Sequence, residues 1–322
     1  MRLMTFAVLL TTLGAPTVAA QVRPGTGGSK PQPAAPRTAL PAPGPWSVSF
    51  GMTSIYDSNI DHSSTPASAF GEVASGGAEY RRALGGGSWT TGYEAGLHRY
   101  MLSPTQSSEW NRLSHHLESA FERRLNKRWT TEMRAEVSVR GSSSDDRELF
   151  NQFALEPRAE LRLNQRDRVR FVAAYRIRQY DSSSARSAVA PYVGAEFRQK
   201  FDGGRAWNAG LRYERFAAND ARYSYNRWMY ALGLDTPLSA RDRLELDLKF
   251  RSQSYTTRIV TTTAGVDELR HDNRWFPSAS LIHAIRPELT LRGDYRLEGR
   301  TSNDVGKDFQ AHRVMLGINW RW

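Results

Sequence analysis

The 322-residue chain has no cysteine at all. No disulfide holds it together, and no lipid can be attached through a thiol near its start. It also has no metal-ligand cluster, phosphate loop or nucleotide motif. The apolar run from Met4 to Leu13 is too short to cross a bilayer as a helix. The formal charge is +11, with 44 Lys and Arg against 33 Asp and Glu. The arginines stand at alternate positions interleaved with Glu and Asp rather than in a basic run, which argues against nucleic acid as a partner.

What is present shows most clearly at the end. His312, Val314, Leu316, Ile318, Trp320 and Trp322 share one parity, and Arg313, Met315, Gly317, Asn319 and Arg321 the other. Side chains of a strand alternate between faces, so this is a strand with one apolar and one polar face. Two Trp at its end favour a membrane interface. A strand apolar outward and polar inward is the unit of a transmembrane β-barrel.

The beginning fits an exported protein. Met1-Arg2, the apolar run and Val18-Ala19-Ala20 read as a secretory signal peptide over 1–20. Residues 21–45, with Pro24, Pro31, Pro33, Pro36, Pro41, Pro43 and Pro45, form no core and read as a periplasmic linker. The barrel is expected over 46–322. It is an all-β, antiparallel up-and-down transmembrane barrel of about fourteen strands, placed in the outer membrane of a Gram-negative-type cell.

Alternation of join lengths gives the strand count. Strands are expected at 46–56, 70–83, 88–101, 110–124, 128–140, 149–163, 167–179, 187–200, 205–216, 223–236, 241–255, 271–285, 288–299 and 310–322. Tight-turn residues fill one set of joins: Gly85-Gly86-Gly87, Asn126-Lys127, Asn164-Gln165-Arg166, Asp202-Gly203-Gly204, Ser239-Ala240 and Arg286-Pro287. The other set is longer and polar, at 57–69, 103–109, 141–148, 256–270 and 300–309. Short turns on one rim and long loops on the other is the asymmetry of outer-membrane barrels, with the short turns periplasmic. Trp46, Trp89, Trp129, Trp207, Trp320 and Trp322 fall at the short-turn rim as an interfacial girdle, and Tyr56, Tyr100, Tyr180, Tyr223, Tyr255 and Trp275 mark the other rim less regularly. Pro157, Pro191 and Pro277 on strands imply bulges, and the outward His115 and His283 are expected near an interface.

The inward face carries the chemistry. Arg134, Arg158, Arg170, Arg176, Arg212, Arg227, Arg251, Arg292 and Arg313 are expected to line the lumen, opposed by fewer carboxylates. Cross-strand ion pairing accounts for many of them. The arginine excess would give an open lumen a positive potential that favours anions. No catalytic residue and no cofactor is expected: His271-Asp272 and Asp61-His62 could supply a His/Asp pair, but adjacent strand residues point apart.

Tyr56-Asp57-Ser58-Asn59-Ile60 resembles the Tyr-Asp-Ser-Asn-aliphatic segment near the start of the C-terminal barrel of surface lipoprotein assembly modifier proteins and related outer-membrane barrels. The strand count and terminal aromatic are similar too. The resemblance implies an export-accessory or surface-lipoprotein translocation barrel. It also implies that Ile318, Trp320 and Trp322 form the signal read by the barrel-assembly machinery. The residues themselves favour a monomeric passive channel for small anionic solutes, embedded in outer-membrane lipid and lipopolysaccharide. A structural barrel with a plugged lumen is the third reading.

Overall fold

The computed structural model describes residues 44–103, 110–143, 146–181 and 183–322. The expected leader and nearly all of the linker lie outside them. The strands are β1 (Trp46–Asp57), β2 (Ala69–Leu84), β3 (Gly87–Met101), β4 (Arg112–Arg124), β5 (Trp129–Ser143), β6 (Asp146–Arg162), β7 (Asp167–Tyr180), β8 (Ala188–Val189), β9 (Tyr192–Lys200), β10 (Ala206–Ala218), β11 (Tyr225–Pro237), β12 (Asp242–Thr261), β13 (Asp267–Arg286), β14 (Leu289–Ser302) and β15 (Phe309–Arg321). β8 and β9 lie end to end between β7 and β10, so fifteen segments make fourteen positions in the wall. Every neighbour is antiparallel, and β15 returns to β1 from Ser49↔Arg321 to Asp57↔Arg313, which closes the barrel. Closure leaves no sheet edge, and this is how strands satisfy their backbone groups in lipid.

Alternation places the side chains. On β12, Leu246, Leu248 and Phe250 are exposed on the outside while Arg251 is buried inside. On β5, Met133 and Val139 face out while Ser138 is buried inward. The six expected tryptophans stand at the short-turn ends of their strands. There Trp46 packs on Tyr80 with ring centroids 4.8 Å apart, and Trp320 stacks on Trp322 at 4.3 Å.

Three short turns are tied by one device. The Asn126 side chain accepts from the amides of Arg128 and Trp129, Asn164 from Arg166 and Asp167, and the Ser239 hydroxyl from Arg241 and Asp242. Each closes a tight turn with a side-chain oxygen in place of a backbone carbonyl. The β2–β3 turn instead uses Gly86 at φ +82°, a conformation other residues adopt only under strain.

Four expectations need correction. The loops expected at 256–270 and 141–148 are largely strand: β12 runs to Thr261, β13 starts at Asp267, β5 reaches Ser143 and β6 starts at Asp146. Apolar alternation weakens toward this end of the strands, but the hydrogen-bond ladder continues through it. The join expected at 300–309 shrinks at its start in the same way, since β14 runs to Ser302.

The prolines do not make bulges. Pairs on either side keep one register: Leu155↔Tyr175 with Arg158↔Val172 around Pro157, Ile177↔Val189 with Ala174↔Tyr192 around Pro191, and Trp275↔Gly299 with Ser278↔Arg296 around Pro277. An antiparallel residue turns its N–H to one neighbour only, so at Pro157 and Pro277 the opposite ladder, Met133↔Pro157 and Leu248↔Pro277, stays continuous. Register shifts occur elsewhere, at Ser138/Gly141, Ser254/Ile259 and Ala284/Arg286.

The aromatic residues of the long-loop rim are the fourth correction. Tyr56 and Trp275 stay on the outward parity, but Tyr180 and Tyr255 turn inward. Phe150, Tyr180, Phe216 and Tyr225 form a buried cluster with Ala188 and Ala190, against which Tyr255 packs. This is the apolar core of the molecule, and it sits inside the long-loop end of the barrel. His115 pairs with Ala95, midway along β3, while His283 lies near a strand end. His115, bonded to the Tyr93 hydroxyl at 2.8 Å, is three residues from the start of β4, and His283 meets Asp242 at 2.8 Å beside a short turn.

Candidate functional site

The inward face divides into two zones. Toward the short turns, guanidinium and carboxylate groups alternate along and across strands, because residues i and i+2 share a face. Arg134 binds Glu118 at 2.7 Å and Glu132 at 3.1 Å, and Arg158 binds Glu132 at 3.1 Å and Glu156. Glu160 takes Arg168 at 3.2 Å and Arg170 at 3.0 Å. Arg292 reaches Asp294 at 2.8 Å and Glu245 at 3.2 Å. These side chains keep access to solvent, and Arg170 is 41% exposed.

Toward the long loops the same residue types are buried. Glu214, 2% exposed, lies between Arg176 and Arg227, the latter at 3.3 Å. Arg227 also donates to Gln253 at 2.9 Å and to the Tyr225 hydroxyl at 2.6 Å. Arg270 grips Asp272 through two bonds of 2.9 Å and reaches Asp304 at 2.8 Å, where Arg258 arrives at 3.1 Å. Ring faces back the guanidinium groups: Arg212 and Arg176 over Tyr192 at 4.2 and 4.5 Å, Arg251 over Phe276 at 5.1 Å, Arg270 over Tyr255 at 4.9 Å and Arg300 over Phe309 at 4.7 Å.

The loop after β1 folds into this end. Asp57 is fully buried and receives Arg313 at 2.9 Å. The Asn59 amide donates to Asp57, and the Asn59 side chain accepts from Ser63 N–H and donates to Ser63 O, which winds the loop on itself. Ile60 is carried inside, and His62 stacks on Phe309 at 4.4 Å with Nε2 3.3 Å from Glu298. The Tyr56–Ile60 segment thus has a local structural task as a loop anchor.

Between this loop, the cluster and the β12–β13 hairpin lies a cavity of about 300 Å³. Among the described residues, Arg186, Arg227, Arg251, Arg258, Arg270, Arg274, Arg300 and Lys307 line it against one carboxylate, Asp61, which accepts from Trp110 at 3.2 Å. Arg251 also lines a second space of about 190 Å³ with Arg170, Glu196, Arg212, Lys249 and Phe276. Of the arginines that lined the expected lumen, the structure brings Arg227 and Arg251 to the cavity, and Arg170, Arg212 and Arg251 to the second space. Arg134, Arg158 and Arg292 stand in the ion-pair ladder, while Arg176 and Arg313 are held by buried carboxylates. Arg258, Arg270 and Arg300 were missed because they stand in segments read as loops, whereas Arg274 lay on the inward parity of the strand expected at 271–285 and was passed over.

Neither His/Asp pair forms a catalytic dyad. Asp272 points inward to Arg270 and Ser302, whereas His271 bonds Ser254 at 3.0 Å and Asn273 at 3.1 Å. Asp61 and His62 go to Trp110 and Glu298 respectively. No group of three potential metal-binding side chains occurs among the described residues.

No family model and no curated protein matches the chain. Solved structures do. The outer membrane channel DcaP of Acinetobacter baumannii matches with a TM-score of 0.52 at 10% identity, covering 86% of this chain and 96% of that one. An anion-selective porin from Comamonas acidovorans gives 0.51 at 8%, covering 86% and 98%. OmpT, an outer membrane protein of Vibrio cholerae, gives 0.50 at 8%, covering 88% and 100%. The fold is therefore that of bacterial outer-membrane porins and channels. These structures do not support the likeness to surface lipoprotein assembly modifiers, which rests on the Tyr56–Ile60 segment, the strand count and the terminal aromatic.

Proposed function

We propose that the chain is a passive channel of the outer membrane for small anionic solutes. One observation carries this reading: arginines line the lumen toward both ends, with accessible guanidinium groups such as Arg170 toward the short turns and, beside the apolar cluster at the other end, a cavity rich in cations. Fixed positive charge within low-dielectric walls raises the local concentration of anions. The Comamonas porin that shares the fold is anion-selective.

A plugged barrel is the second reading, favoured by complete burial of Asp57, Asn59, Ile60, Glu214, Asp272 and Glu298 at the long-loop end. Planar-bilayer recording separates the two. The channel reading expects conductance with anion preference, and expects Arg168→Gln with Arg170→Gln to move the reversal potential toward cations. Folded protein that never conducts would leave the plugged barrel standing.

A further inference from the structure

We propose that the 300 Å³ cavity at the long-loop end is a binding site for small organic anions carrying two or more negative charges, oligocarboxylates or phosphate esters. This deepens the channel reading and rests on it. Among the described residues, eight cationic side chains line the space against Asp61, and four carboxylates, Glu214, Asp272, Glu298 and Asp304, stand behind them. A monoanion leaves most of the remaining field uncompensated; a di- or trianion takes up more of it, so affinity should rise with ligand charge. The volume is that of a small-ligand site.

The cations are also pre-organised. Arg270 is fixed by Asp272 and the Tyr255 ring, Arg227 by Gln253 and the Tyr225 ring 4.6 Å away, and Arg300 by the Phe309 ring and the Lys307 carbonyl. Long side chains already held lose little rotamer freedom when a ligand arrives, which favours binding. Rings that serve as backing for guanidinium groups offer their faces to those cations, so the recognised feature is charge rather than an apolar body. Arg251 faces both this cavity and the next space toward the short turns, which gives a bound anion a cation to move to.

Calorimetric titration of the folded, detergent-purified barrel at fixed ionic strength tests this, with tricarballylate, succinate, inorganic phosphate and acetate as probes. Tricarballylate should bind saturably at one site, at least tenfold more tightly than acetate. Phosphate above succinate would assign the site to phosphate esters, and the reverse to carboxylates. Arg258→Gln with Lys307→Gln removes two cations from the extended hairpin and a loop, outside the barrel wall proper, and should weaken tricarballylate at least tenfold while the protein stays heat-modifiable. Arg166→Gln, on the short-turn rim, should change it less than twofold. No saturable binding, equal affinity for acetate and tricarballylate, or an unaltered double variant would overturn the site. Bilayer recording on the same preparation keeps the two readings apart: conductance without binding overturns the site alone, and binding without conductance overturns the channel alone.

Discussion

The two ends of the lumen are built from the same side chains and behave as different materials. Toward the short turns, Glu160 shares Arg168 and Arg170 in contact with solvent. Toward the long loops, Glu214 shares Arg176 and Arg227 with almost no exposure and rings on either side. An ion pair in water gains little because water already solvates both charges. A buried pair has lost that solvation, so breaking it strands a charge in a poor solvent. The first zone can exchange partners with a passing ion, whereas the second holds a fixed shape.

The assignment of sides is the all-or-none test of that comparison. If the rigid zone faces outward, cysteines at Ala264, Asn219 and Asp304, each in a turn or loop at the long-loop end, should react with a membrane-impermeant maleimide on intact cells. One at Gly86, in the β2–β3 turn, should not. The opposite pattern would put the rigid zone on the periplasmic side.

Energetic contrast comes next. Glu214→Gln leaves Arg176 and Arg227 facing each other around a neutral amide, and should cost roughly 3–5 kcal/mol of barrel stability, the range for breaking a buried pair. Urea unfolding followed by tryptophan fluorescence would read it. A loss below about 1 kcal/mol, the exposed-pair range, would mean that water reaches Glu214 and that its immediate surroundings are not as dry as its burial describes.

Much of this division was already written in the parity of the strands. Tyr180 shares the parity of Arg176 and Arg178, and Tyr255 that of Arg251, so both could have been placed inside rather than in a girdle. Their position near strand ends suggested a membrane interface, and position was given more weight than parity. Arg258 and Arg270 were hidden for another reason. Their segments lack the strict apolar alternation by which the other strands were recognised, although the ladder runs through them. The inward course of the loop after β1 had only a local cue, Asp57 and Asn59, which reports a wound loop without its direction.

The smallest expected effect sharpens the comparison most. Glu160→Gln removes the carboxylate shared by Arg168 and Arg170, both of which retain solvent. The loss should be about 1 kcal/mol or less, and its dependence on salt is more informative than its size. At 0.15 M ionic strength the screening length is about 8 Å, longer than these contacts, but at 1 M it falls to about 3 Å. The Glu160→Gln penalty should therefore fade into experimental error between the two conditions. The Glu214→Gln penalty should persist, because Glu214 is 2% exposed between Arg176 and Arg227 and salt screens a buried contact far less. Equal salt dependence at both sites, measured by the same urea titrations, would show that one hydrated medium fills the lumen from end to end and that the two zones differ in crowding alone.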